Sequence, residues 1–295
     1  MADRIGKSEL EIIETESVSL WRKSFQRLLR NRTAVIGAIL LIFILLISIF
    51  APLVATHSPT DQSLRDQLKP PSSEHYFGTD DLGRDVFSRV VHGSRISLLV
   101  GIGVMILRGV VGITVGMIAG FMGGRIDTIL MRIADAVISF PGILLALAIM
   151  AIWGAGLVNV IIALSVVGWP QFARLVRAEV LSLREREYVE AARGLGLSDV
   201  GIMARHIFPN ILPLIIVYAS LTISAPIVSE AALSFLGLGI QPPDVSWGRM
   251  LSGAQRYMRV AWWMATIPGL AITITVLSFN LLGDGLRDAL DPRMN

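Results

Sequence analysis

The chain has 295 residues, 53% hydrophobic and 17% charged, with no cysteine and a formal net charge of +3. At a mean hydropathy of +0.65, a soluble domain would leave large apolar patches in water, which excludes an ordinary soluble fold. The lack of cysteine excludes disulfides and thiolate metal sites, and no Lys/Arg cluster is interleaved with aromatics as a nucleic-acid surface requires.

Several near-uncharged runs point instead to an all-α polytopic membrane protein with six transmembrane helices. Residues 1–33 form a polar tail. Within it, Ser17–Arg32 sets Leu20, Trp21, Phe25, Leu28 and Leu29 on one helical face, ringed by Arg22, Lys23, Arg27 and Arg30. That is a basic amphipathic helix suited to an anionic membrane surface; the plainer alternative is an extension of the first span. The first span covers residues 34–56. The polar leader before it is too long for a cleaved signal peptide, so the span reads as an anchor.

Residues 57–95 form a long polar loop between the first two spans. Pro59, Pro70 and Pro71 make its first half irregular. In its second half Gly78, Asp80, Asp81 and Gly83 suit a tight turn, and Arg84–His92 a short helix. Asp80, Asp81 and Asp85 lack the full ligand set of a calcium loop, so turn and capping roles are expected of them. His57, His75 and His92 are scattered in sequence and are expected as surface or interfacial residues.

Residues 96–283 hold the remaining five spans. The second, Ile96–Met122, carries Gly112, Gly116 and Gly120 at four-residue spacing. They make a flat face for a close helix, either within the chain or at a subunit seam. Arg108 lies near the middle of this span and must face protein or a wet cavity. It either borders a translocation path, attracting a substrate carboxylate, or pairs with a buried polar group. The second reading is favoured, with Glu230 as its acid. The third span, Thr128–Trp153, should kink at Pro141, a feature useful where helices line a path. Asp135 within it suits a local pair with Arg132. The fourth span, Leu157–Phe172, is closed by Arg174 and Arg177.

A polar stretch follows at about 178–212. Leu181–Leu195 is rich in helix formers, and Gly194 and Gly196 can close that helix in the left-handed conformation. Ser198 can cap a second helix, which Pro209 stops or bends. The fifth span is Leu212–Leu233. Leu233–Arg259 reads as loop plus a short interfacial helix, and the sixth span is Val260–Leu282. Gly283 and Gly285 end that span, leaving 284–295 as a polar tail.

The 190–213 segment, EAARGLGLSDVGIMARHIFPNILP, resembles the EAA loop of permease subunits in binding-protein-dependent ABC importers. Glu190, Ala191, Ala192, Gly196 and Pro209 match that pattern. His206 and Phe208 replace an isoleucine and a leucine of the general pattern, in the manner of the dipeptide/oligopeptide/nickel branch. The GTDDLGRD, LSFLGLGIQPPDVSWGRML and FNLLGDGLRDALDP segments resemble the same branch, so the likeness extends from about Ala34 onward. Arg108 departs from it, since the family pattern has no charge there. The resemblance implies that the loop couples to separate ATPases, with Glu190 central and Ala191, Ala192 and Gly196 giving close fit and a turn. It implies as partners a second homologous permease, two ATPase subunits and an external or periplasmic binding protein. It implies short peptides as cargo, or nickel chelates, glutathione or opines. Arg108, Pro141 and Glu230 are then the candidate path residues.

Lysines and arginines number 17 in the segments on the side of both termini and the EAA loop, against 8 on the other. The excess puts both termini and that loop on the cytoplasmic side; the resemblance implies a bacterial inner membrane, with membrane lipid as the remaining partner. There is no G-x-x-x-x-G-K-[ST], so this chain is not expected to cradle ATP phosphates itself; the resemblance implies that ATP and magnesium are used by partner ATPases and that this chain binds no cofactor. There is also no HExxH and no G-x-S-x-G, and no enzymatic role is expected. An ion-coupled secondary transporter is the alternative class; Asp135 and Glu230 are its thin support.

Overall fold

The computed structural model describes residues 26–290. Most of the expected amphipathic helix over 17–32, and residues 291–295 of the tail, fall outside that range. Among the described residues, five helical stretches are long and apolar enough to cross a membrane, and a bent pair makes a sixth if counted as one span. The only extended pairing among the described residues is the isolated Thr79–Asp85 bridge.

Helix α1 is Arg32–Ile49. Asn31 caps it, its side-chain oxygen accepting from the Thr33 and Ala34 amides at 3.1 and 3.2 Å, so the chain breaks there from the helical residues 26–30. A short α2, Ala51–Val54, follows. Helix α3, Val86–Met122, is 37 residues long. It absorbs both the short helix expected at 84–92 and the second span. Gly93 does not interrupt it, and a Cβ there would lie 3.2 Å from Trp247 Cδ1. Arg95 on α3 donates to the Ser48 and Ile49 carbonyls at 2.6 and 2.7 Å, satisfying orphan acceptors at the C-terminus of α1.

The spine of the bundle is α3 against α6, Leu157–Leu183. The glycine face decides how close they come. A Cβ on Gly116 would lie 2.5 Å from the Ala173 carbonyl, and one on Gly120 would lie 2.8 Å from the Val180 Cβ. The Gly112 position meets Phe172 and Trp169 in the same way. The seam is therefore intramolecular. Helix α6 runs well past Phe172, where the fourth span was expected to close. Its arginines are neutralised by α4, Gly124–Ile138: Arg177 makes a paired contact with Asp127 at 2.5 and 2.6 Å, and Arg174 bonds Asp135. Asp135 is thus paired across helices, and not locally with Arg132 as expected.

Pro141 does more than kink the third span. α4 and α5, Gly142–Trp153, meet at 87°. Pro141 has an extended ψ of 122° and disfavours helix at Phe140.

The last core helix is α12, Trp263–Leu290, which packs on α1. It does not end at Gly283 and Gly285. Those glycines are contact points: Gly283 lies under Leu221, and Gly285 against Ala34. At the end of the bundle carrying the 57–85 loop, Asp80 accepts from the Leu82 and Arg84 amides at 2.9 and 3.0 Å and pairs with the Arg84 and Arg89 side chains. Asp85 caps α3 through the Ser88 amide at 2.8 Å. In the same loop Asp66 bonds the Lys69 ammonium and accepts from the Ser63 hydroxyl, which holds its carboxyl below the usual range.

Candidate functional site

The polar turn at the far end of the α3–α6 spine carries the 190–213 segment. Helix α7, Glu187–Gly194, follows a break at 184–186, so the single helix expected over 181–195 is two. Its spacing divides its faces. Val189 and Ala192, three apart, are buried; Tyr188, Ala191 and Leu195 share the adjoining face and are exposed. The Gly196 amide donates to the Arg193 carbonyl at 2.9 Å, and the Leu197 amide to the Ala192 carbonyl at 3.2 Å. This doubly bonded C-terminal turn needs a left-handed residue, and Gly196 has φ +80°. Ser198 then caps α8, Asp199–Ile202, accepting from the Gly201 amide at 3.3 Å.

The turn is fixed to the spine from below. Val189, Ala192 and Ile202 join the apolar cluster of Phe121, Val176 and Val180. The Arg193 guanidinium stacks 5.2 Å from the Phe121 ring centroid, and Arg184 donates to the Gly120 carbonyl at 3.0 Å. What remains outside is Glu190, whose carboxylate has no hydrogen bond or ion pair among the described residues, with Leu195 at 82% and Val200 at 70% exposure. Reading the sequence missed Leu195 and Val200. The signal was there: Leu195 falls seven residues after Tyr188, on the face left over once Val189 and Ala192 are buried.

Pro209 neither stops nor sharply bends the chain. A π-helical turn, Met203–Ile207, precedes it and leads into α9, Phe208–Thr222, and α10, Ser224–Phe235. The wider turn accommodates a ring that would clash with the carbonyl four residues back.

Arg108 and Glu230 are not partners. Arg108 donates to the Thr222 carbonyl at 2.8 Å and to its hydroxyl at 2.7 Å, and its guanidinium lies 5.8 Å from the Phe172 ring centroid. The reason is Pro226. It lacks the N–H that would bond the carbonyl four residues earlier, and Arg108 supplies the missing donor. Glu230 is also committed elsewhere. Its Oε1 accepts from Ser234 at 2.6 Å and Ser246 at 2.8 Å, tying α10 to the cap of α11, Trp247–Ala254. At 1% exposure it lines no open space, whereas Pro141 is exposed. Arg108→Met should leave the Thr222 carbonyl unsatisfied and cost about 1–3 kcal/mol, read as a lower thermal midpoint in detergent. Transport KM should stay unchanged; a raised KM at unaltered stability would instead make Arg108 a substrate contact.

A cavity of about 670 Å³ opens at the opposite end of the bundle, between the 57–85 loop and the 242–257 segment. Asp80, Asp81, Arg84, Arg89, Arg249 and Arg256 are among its walls, and none of Arg108, Pro141 or Glu230 is.

The sequence matches the family described as binding-protein-dependent transport system inner membrane component over residues 112–295. The chain belongs to that family. The N-terminal transmembrane domain of oligopeptide transport permease C matches over residues 19–71. Among relatives of this permease, the dipeptide transport system permease protein DppC of Alkalihalophilus pseudofirmus is 47% identical, over 94% of this chain and 91% of the relative. The glutathione transport system permease protein GsiD of Pectobacterium atrosepticum is 44% identical over 97% and 95%. The oligopeptide transport system permease protein OppC of Bacillus subtilis is 41% identical over 97% and 94%. In fold, the permease is similar to an inward-facing form of the MetNI methionine ABC transporter, with a TM-score of 0.58 and 20% identity over 70% of this chain and 97% of that one.

Proposed function

We propose that this permease is one of two homologous membrane subunits of an ATP-driven importer of short peptides in a bacterial inner membrane. An external binding protein delivers the peptide, and two ATPase subunits bind and hydrolyse ATP with magnesium. Both termini and α7 face the cytoplasm, as the lysine and arginine excess argues. The chain itself does no covalent chemistry. The observation that carries this reading is the α7 turn. Glu190, Leu195 and Val200 are presented outward on a support packed into the α3–α6 spine, so a push on the turn moves the spans as a body.

Peptides are favoured as cargo because dipeptide, oligopeptide and glutathione permeases are all close in sequence, and their named cargoes share a peptide backbone. A non-histidine tag on this chain, followed by recovery from native membranes in mild detergent and mass spectrometry, tests the assembly. A second permease and ATPases with G-x-x-x-x-G-K-[ST] should come with it, and the co-encoded binding protein should bind di- to oligopeptides. Recovery of the chain alone, transporting in liposomes on an ion gradient, would make it a secondary transporter.

A further inference from the structure

Three segments far apart in the external-loop sequence bring two imidazoles and a carboxylate to one point. His57 follows α2, His75 sits in the loop and Asp85 caps α3. Their ligand atoms all lie within 4.8 Å of one another. Sequence spacing gave no sign of this. Of the histidines expected at the surface or an interface, His57 is exposed and His75 is buried at 7% exposure, beside Asp85 at 2%. His75 Nδ1 is 2.9 Å from Asp85 Oδ1. His57 Nδ1 is 3.9 Å from the same oxygen, beyond hydrogen-bonding reach, and the two rings are 4.8 Å apart.

We propose that His57, His75 and Asp85 form a site for one divalent transition-metal ion of the zinc type. A tetrahedral ion bonded at about 2.0–2.1 Å needs ligand atoms roughly 3.4 Å apart. The two separations to Asp85, 2.9 and 3.9 Å, bracket that distance, and all the ligand atoms lie within 4.8 Å of one another; the site closes when the exposed His57 ring swings inward from its 3.0 Å contact with the Thr56 hydroxyl. Two imidazoles and one carboxylate suit zinc, nickel, cobalt or copper rather than calcium or magnesium, which take oxygen shells. The supports are already in place. The other oxygen of Asp85 accepts from the Ser88 amide at 2.8 Å, the Ser88 hydroxyl accepts from the His57 amide at 3.0 Å, and the His75 amide is held by Ser72 at 3.1 Å. The His57 side chain is 40% exposed, which leaves a fourth position for water or for a donor from a docked partner. Bound there, the ion staples the loop to the start of α3. The site does not depend on the identity of the transported solute.

The test uses the full-length protein with a non-histidine tag, treated with chelator in detergent and titrated with zinc alone by calorimetry. One equivalent should bind, and cobalt in its place should give the intense visible absorption of a tetrahedral site. His75→Ala and Asp85→Asn should each weaken zinc roughly tenfold or more. Asn remains a good N-cap, so Asp85→Asn should keep α3 folded. His57→Ala alters a partly exposed ring and should weaken zinc without a change in thermal midpoint. His92→Ala, outside the cluster, should bind as the parent does. No stoichiometric uptake by the parent overturns the assignment. So does uptake unchanged by all three cluster substitutions, or lost equally in His92→Ala.

Discussion

Glu190→Lys and Gly196→Trp should each leave the subunit inserted at parental levels and abolish substrate-stimulated ATP hydrolysis by the assembled importer. The reasoning differs for the two positions. The Glu190 carboxylate is exposed and holds nothing within the described chain, so its reversal should change stability by no more than about 0.5 kcal/mol. Its effect must then fall on a partner. Placing a cation where a partner surface expects an anion costs several kcal/mol in a docked contact, since like charges meet. At 1.4 kcal/mol per decade, that weakens docking by a factor of a hundred or more.

Gly196 carries a different kind of information. Its φ of +80° costs a side-chain-bearing residue roughly 1–2 kcal/mol, yet no atom lies within 4 Å of the Cβ position. A tryptophan there strains the turn modestly and meets no neighbour within the chain. It protrudes beside Leu195, where an ATPase groove would have to accept it. The measurement is ATP turnover by the reconstituted complex with and without loaded binding protein, alongside membrane yield. Undiminished stimulation in both variants would remove the turn from the coupling path; lost stimulation with lost insertion would make the turn a folding element.

The turn was legible because its chemistry is local. Gly196 and Ser198 act over one or two helical turns, and such signals survive in a string of letters. The spans were legible for the same reason. Long-range pairings were not. Arg108 looked like half of an ion pair because burial of a charge suggests an opposite charge; its real partner is a carbonyl freed by Pro226. That signal could have been read, since a proline inside a helix orphans the carbonyl four residues before it. The His57–His75–Asp85 cluster could not. Its members lie in three loop segments with no shared periodicity, and only folding of the 57–85 loop brings them together. Helix ends were misplaced where a neighbour changes the meaning of a residue. Arg174 and Arg177 look like a stop to a span until Asp135 and Asp127 on α4 neutralise them.

The glycine face of α3 yields the largest expected loss of stability. Gly116→Ala alone places a methyl 2.5 Å from the Ala173 carbonyl oxygen and 2.8 Å from the Val176 Cβ. Neither can step aside cheaply, because one is helix backbone and the other a β-branched centre packed into the cluster that anchors α7. Overpacking of this kind costs about 1–3 kcal/mol for the added methyl, and Gly116→Leu should exceed that range. Gly253→Ala is the control. It sits in α11 with nothing within 4 Å of the new methyl and should stabilise by about 0.5–1 kcal/mol. Thermal midpoints from size-exclusion of detergent-solubilised protein would separate them. The test also decides where the glycine face acts. If α6 of the same chain fills it, Gly116→Leu must be defective when expressed with no partner subunit. A defect seen only after a second permease is added would mean that the face is a seam between subunits. The close packing of α3 on α6 also bears on coupling: with no slack at Gly116 and Gly120, a displacement of α7 passes into both helices together.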